Sequence, residues 1–146
     1  MRIVVGVTGA SGAIYGVRLL EALHGRAEVE THLVVSRTAA RILEQETGRT
    51  LGFLQGLAHH CYDNDDLSAP IASGSFAFDA MVVAPCSVKT ASALANSYSD
   101  TLIARAGDVA LKERRQLILL VRESPLHAGH LRLMLALAEL GALILP

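Results

Sequence analysis

Short apolar runs recur along this chain with an amphipathic stretch between successive runs, and no other feature constrains the fold as much. The runs are Arg2 to Val7, Val29 to Val35, Ala80 to Ala84, Gln116 to Val121 and Ala142 to Leu145. Pro85 is expected to stop the third. Ile14, Val17, Leu20 and Leu23 recur near the 3.6-residue period, which predicts a helix from about Gly12 to His24. Further helices are expected over Thr38 to Glu46, from an Asp100 N-cap through Glu113, and over Gly129 to Leu140 with Gly141 as C-cap. The order strand, helix, strand, helix predicts an α/β fold, a parallel sheet with helices on both faces. Continuous Val/Ile/Leu runs fit strands covered on both sides. The stretch from Thr47 to Ser75 carries no clear period, and Asp63-Asn64-Asp65-Asp66 within it reads as a solvated turn.

At 146 residues this is one domain, spanning residues 1–146, and long enough to bury a core. With 51% hydrophobic and 18% charged residues it is too apolar for disorder, and apolar enough to imply buried interfaces. Aromatics are 4% with no Trp, which speaks against base stacking. Thirteen basic against fourteen acidic residues leave a net charge of −1, so no basic field exists to hold nucleic acid or an acidic membrane. Two cysteines, Cys61 and Cys86, make no disulfide framework, and a reducing cytoplasmic location is expected. The first residues look like a strand rather than a signal peptide, and no apolar run is long enough to span a bilayer.

The helix over Gly129 to Leu140 is apolar nearly all round, interrupted by His130, Arg132 and Glu139. It is expected to be buried on two sides, by the sheet and by another subunit. The final strand is followed only by Pro146. A doubly wound fold covers such a strand with one more helix, so either a partner or further chain is expected to cover it.

In open α/β sheets ligands bind beyond the carboxyl ends of the strands. The segments there are Thr8-Gly9-Ala10-Ser11-Gly12, Ser36-Arg37, Pro85-Cys86-Ser87-Val88-Lys89-Thr90 and Arg122-Glu123-Ser124-Pro125. All are rich in hydroxyls, small residues or charges. The turn from Gly9 to Gly12 lets a ligand approach the backbone, and the helix after it offers N–H groups and a positive dipole end. It is not a P-loop, since no Gly-Lys-Ser/Thr follows, and Gly6, Gly9 and Gly12 do not make G-x-G-x-x-G. The bland reading is a sterically required turn. Ser87 to Thr90 suits phosphate, or is an N-capped helix start. Arg105, Asp108 and Lys112 share a helix face, which also describes a solvated ion-pair face. Arg122-Glu123 at a strand end can hold an anion and move a proton, whereas Glu46 reads equally as a surface carboxylate. His127 with His130, and His59 with His60, have no neighbouring cluster to support metal ligation. Cys86 sits at a strand end, a place suited to a nucleophile, but nothing adjacent favours its thiolate, so it is assigned to packing.

Taken together, Val7-Thr8-Gly9-Ala10-Ser11-Gly12-Ala13-Ile14-Tyr15-Gly16, Ser36-Arg37, Glu46-Thr47, Ala72-Ser73-Gly74-Ser75, Pro85 to Thr90, Arg105 to Arg115 and Arg122 to His127 resemble the UbiX/Pad family of flavin prenyltransferases. The resemblance covers essentially the whole chain. It implies a three-layer flavodoxin-like (Rossmann-like) subunit that binds FMN at subunit interfaces of a homo-oligomer, typically a dodecamer. Such enzymes transfer a dimethylallyl group from dimethylallyl phosphate to N5 and C6 of reduced FMN, without a metal. The prenylated FMN serves UbiD-type decarboxylases, including those of ubiquinone synthesis. By motif, Gly9, Ala10, Ser11, Ser36, Ser87, Val88, Lys89, Thr90 and Arg122 would contact FMN. Ser11 and Glu123 would handle protons, and Glu46, Arg105 and Lys112 would hold or ionise the prenyl phosphate. Family members continue past the position of Pro146 with a Tyr and an Arg that bind that phosphate, and commonly carry Pro where Gln116 stands. Two other readings remain at this point, a non-catalytic FMN-binding protein and a flavin-dependent cysteine decarboxylase. The latter family's Pro-Ala-Ser-Ala-Asn-Thr loop and catalytic His do not match Pro85 to Thr90.

Overall fold

The computed structural model describes residues 1–145. Strands β1 (Arg2–Val7), β2 (Glu30–Val35), β3 (His60–Asp63), β4 (Ala80–Cys86), β5 (Gln116–Val121) and β6 (Leu143–Leu145) form one sheet in the order β3-β2-β1-β4-β5-β6. Every neighbouring pair is parallel. Helices α1 (Ala13–Leu23), α2 (Arg37–Thr47), α3 (Leu51–Leu57), α4 (Val88–Ala95), α5 (Leu102–Lys112) and α6 (Ala128–Glu139) fill the connections. Without the short edge strand β3, the order is that of flavodoxin-like sheets. The winding direction reverses between β1 and β4, and a crevice opens there.

Because successive strand residues point to opposite faces, each continuous apolar run feeds both layers. Val4, Val34, Met81, Val83, Leu117 and Leu119 pack with Leu94, Leu102, Ile103 and Leu137 on the α4–α5–α6 side. Val5, Val7 and Leu33 pack with Val17, Leu20, Leu43 and Leu54 on the α1–α2–α3 side. A Cβ on Gly16 would stand 2.6 Å from the Ala84 carbonyl oxygen, so α1 lies directly against the backbone of β4.

Several expectations change. Strand β3 and helix α3 fall in the stretch that carried no period. His60-Cys61-Tyr62-Asp63 is a half-polar edge strand, so it lacks the apolar signature of the central ones. Strand β4 does not stop at Pro85. Its register shifts between Val83 and Cys86, which absorbs the missing N–H, and Cys86 then pairs with Val121. The N-cap of α5 is Thr101 rather than Asp100; its hydroxyl accepts from the Ala104 N–H. In the single chain helix α6 is covered on its sheet side, and the side assigned to another subunit is bare. Leu137 faces the core, whereas Leu131 and Leu135 are 54% and 59% exposed. Among the described residues no helix is long and apolar enough to cross a membrane.

Candidate functional site

Thr8, at the carboxyl end of β1, ties the two central loops together. It is 3% exposed. Its hydroxyl donates to the Pro85 carbonyl at 2.8 Å and accepts from the Ser87 N–H at 2.7 Å. The Thr8 N–H also reaches the Pro85 carbonyl, at 3.2 Å. The turn after β1 and the loop after β4 are therefore held as one piece across the switch point.

Ser36 and Ser87 each cap the helix that follows. The Ser36 hydroxyl accepts from the Ala39 N–H at 3.2 Å, and the Ser87 hydroxyl accepts from the Thr90 N–H at 3.2 Å. Ser87 and Thr90 hydroxyls stand 3.1 Å apart. The N–H groups of Arg37 and Thr38 in α2, and of Val88 and Lys89 in α4, lie in first turns and have no intrahelical acceptor. Two positive helix ends thus face the crevice with free donors.

The N-terminus of α1 is different, and the expectation of free donors there is corrected. Glu46, from the last turn of α2, places its Oε2 3.0 Å from the Gly12 N–H and 2.9 Å from the Ala13 N–H. The Ser11 hydroxyl donates to Oε1 at 2.7 Å. These bonds, led by Ser11, hold the Glu46 carboxyl below the usual carboxylate range, with Arg122 adding a smaller pull. Glu46 is therefore an anionic cap that orients Ser11, and the helix starts that keep free donors at the crevice are those of α2 and α4.

Arg122 follows β5, its N–H bonded to the Cys86 carbonyl. Its guanidinium lies over Gly12, whose added Cβ would stand 3.5 Å from Nε. Gly12 has φ +96°, a conformation costly for other residues. Glu123 is exposed, and its carboxylate accepts from the Ser124 N–H at 3.0 Å.

Two adjoining cavities share Gly9 and Ser87. One, of about 270 Å³, is lined by Ser36, Thr38, Asn64, Lys89, Thr90 and Thr101 among others. The other, of about 330 Å³, is lined by Ala10, Ser11, Val88, Arg122, Glu123 and Ser124. A Cβ on Gly9 would come within 2.6 Å of Thr38 Cγ2, so only glycine keeps this floor open. Hydroxyls, free helix-end amides, a lysine and an arginine converge on a cleft with a small-residue floor. That donor set fits a flavin mononucleotide. Asn64 is a residue that the sequence reading missed. Its carbonyl and side chain accept from Leu102 and Ile103 N–H groups and so cap α5, a role hidden within an acidic turn.

Arg105 and Lys112 are not at this cleft in the single chain. Arg105 donates to the Ala72 carbonyl at 3.0 Å and to Asp108 at 3.1 Å. Lys112 pairs with Glu113 at 2.6 Å beside Gly74. They are seven residue steps apart on α5, about 10 Å along the axis, and α5 runs away from the carboxyl edge. Cys86 is fully buried, and burial pushes its thiol up to about 12, so it is a packing residue. His127 caps α6 by accepting from the Gly129 and His130 N–H groups.

The flavoprotein family profile matches residues 1–145. A flavin prenyltransferase UbiX from Thauera aromatica is 58% identical over 146 residues, covering 100% of this chain and 75% of that protein. A dodecameric FMN-dependent UbiX-like decarboxylase from Escherichia coli O157:H7 superposes with a TM-score of 0.98 at 46% identity, over 100% of this chain and 80% of that one. AnUbiX (PadA1), solved with FMN and dimethylallyl pyrophosphate, superposes with a TM-score of 0.96 at 47% identity, over 99% of this chain and 77% of that one. With its fold, its strand-end cleft and full-length similarity in agreement, the chain belongs to the flavoprotein family and, within it, to the UbiX flavin prenyltransferases.

Proposed function

We propose that this chain binds reduced FMN in the crevice between β1 and β4 and transfers to it a dimethylallyl group from dimethylallyl phosphate. The observation that carries this reading is the meeting of Ser11, Ser36, Ser87 and Arg122, from four separate strand ends, on two joined cavities. Ser36, Ser87, Lys89, Thr90 and the free amides of α2 and α4 would hold the FMN phosphate. Gly9, Ala10 and Val88 would let the cofactor lie against backbone. When bound, FMN supplies the nucleophilic N5 and C6 positions that accept the prenyl group.

The chain's own groups then govern charge and protons. Breaking an allylic C–O bond leaves a cation and a phosphate dianion, so cationic groups must face the leaving group. Arg122 stands beside Gly12, with the Glu46 carboxylate close enough to feel its charge. Glu123, free of any cationic partner among the described residues, is positioned to accept the proton lost on ring closure. Ser11, oriented by Glu46, is the hydroxyl that relays protons at the same wall.

Arg105 and Lys112 belong to the prenyl-phosphate site only if another copy supplies them, so the reading includes a homo-oligomer, a dodecamer as in the E. coli relative. The bare leucines of α6 support it, because about half of each side chain awaits cover. The reaction proceeds without a metal, in the cytoplasm, and its product passes to a UbiD-type decarboxylase.

The test is to incubate the purified chain with reduced FMN and dimethylallyl phosphate and to measure the flavin's mass. A prenylated flavin is expected; bound FMN that stays unmodified would refute transfer. Ser87→Ala combined with Arg122→Ala should lower FMN occupancy, whereas Glu123→Gln should keep FMN and slow transfer by about a hundredfold.

A further inference from the structure

A second cluster stands at the opposite end of the sheet. His32 on β2 is the register partner of His60 on β3, and Glu30 lies two residues before His32. Register partners and i, i+2 neighbours project from the same face of a sheet, so all three side chains meet. Glu30 Oε1 is 3.0 Å from His60 Nε2 and 3.4 Å from His32 Nε2, and the three atoms lie within 4.8 Å of one another. His32 is 2% exposed, and its Nε2 is a buried nitrogen with no hydrogen-bond partner.

We propose that Glu30, His32 and His60 form a binding site for one divalent transition ion of the zinc class, remote from the cleft. Ligand atoms about 2.0–2.2 Å from a tetrahedral zinc ion stand roughly 3.3 Å apart, close to the 3.0 and 3.4 Å from Glu30 Oε1 to the two imidazole nitrogens. Two imidazoles and one carboxylate are a zinc-type donor set with a position left open for water. His32 Nδ1 is 2.9 Å from the Tyr62 hydroxyl. With the proton on Nδ1, that bond turns the Nε2 lone pair into the gap, as outer-shell partners do for metal-bound histidines. Arg2 Nε holds the other Glu30 oxygen, Oε2, at 2.9 Å and leaves Oε1 to the imidazoles. The Arg2 charge also weakens attraction for a cation, so the site is one of moderate affinity. His60 Nε2 and Glu30 Oε1 share a hydrogen bond at 3.0 Å, and ligation through Nε2 takes the place of that bond.

The ion would clamp the four-residue edge strand β3 to β2. Four residue steps along β2 and its exit carry the chain from His32 to Ser36, about 13 Å, so the ion takes no part in flavin chemistry. The linear sequence hides this site, because His60 meets its partners from 28 and 30 residues earlier only through strand pairing.

The test is calorimetric titration of the intact, chelator-treated chain with zinc chloride. Saturable binding of one zinc per chain is expected, with a rise in melting temperature. His60→Ala and Glu30→Gln, both at exposed or half-exposed positions, should each weaken binding by about tenfold or more while the far-UV spectrum stays native. His130→Ala, in the other histidine pair, should leave it unchanged. Absence of saturable binding to the unaltered chain, wild-type affinity in His60→Ala and Glu30→Gln, or loss of binding in His130→Ala would each overturn the proposal.

Discussion

Thr8 is where the cleft's construction can be measured most directly. Replacing it with valine keeps the shape and removes the hydroxyl. The Pro85 carbonyl then still accepts from the Thr8-position N–H, so it is not orphaned. The Ser87 N–H, bonded at 2.7 Å to that hydroxyl, loses its only acceptor. An unpaired donor at this half-buried position costs about 1–3 kcal/mol, so Thr8→Val should destabilise the fold by up to about 2 kcal/mol. For a domain of this size that is a fall of about 4–8 °C in melting temperature. Thermal unfolding followed by circular dichroism reads it, and Thr8→Ser, which keeps the hydroxyl, should recover most of the loss. The same valine variant should bind FMN more weakly, because Gly9 and Ser87 are no longer fixed relative to each other. A Thr8→Val protein that melts within about 1 °C of the unaltered chain would refute the idea that this hydroxyl joins the loops.

Glu46→Gln should cost up to about 1 kcal/mol at neutral pH, the usual worth of a helix cap. Because hydrogen bonds from Ser11, Ala13 and Gly12 lower the native carboxyl's pKa, its contribution is full above the unfolded carboxyl's pKa and is lost as pH falls through the native value; the difference between the two proteins, measured by denaturation across pH, should vanish in acid. Gly16→Ala should destabilise by about 1–3 kcal/mol in a urea titration although alanine favours helix by about 1 kcal/mol, because the new Cβ meets backbone at Ala84 rather than a movable side chain. A thiol reagent should label Cys61 in the native chain and Cys86 only after denaturation, since Cys61 is exposed and Cys86 buried.

Legibility followed burial and locality. Strands β1, β2, β4 and β5 were readable because each is a mainly apolar run covered on both faces. Strand β3 was not, because an edge strand need not be apolar, and His60-Cys61-Tyr62-Asp63 carries no alternation that distinguishes it from a turn. The four strand-end segments were readable as a site because the fold dictates where ligands bind, and that inference needs only the strand boundaries. What could not be read was pairing across the chain. Glu46 looks like any carboxylate at a helix end until α2 delivers it to the start of α1, 33 residues earlier. Asn64 looks like part of a solvated run until it caps α5, 39 residues later.

Helix α5 marks the limit of reasoning from spacing. Arg105, Asp108 and Lys112 share a face, as their spacing requires, and Arg105 does pair with Asp108. A shared face, however, spreads charges along an axis rather than gathering them at a point. In a doubly wound sheet that axis runs antiparallel to the strands, so the first turn of α5 begins near the carboxyl edge and Lys112 ends near the amino edge, where β5 starts. A cleft at the carboxyl edge of one chain therefore cannot collect both cations. Within the chain, Arg105 and Arg115 spend their donors on Ala72, Gly74 and Phe76 carbonyls, securing the segment that crosses α5 between β3 and β4. Lys112 pairs with its neighbour Glu113 at the surface, beside Gly74 of that same segment. Spacing therefore reports which cations share a face, and the direction of the helix axis decides which of them can reach the cleft.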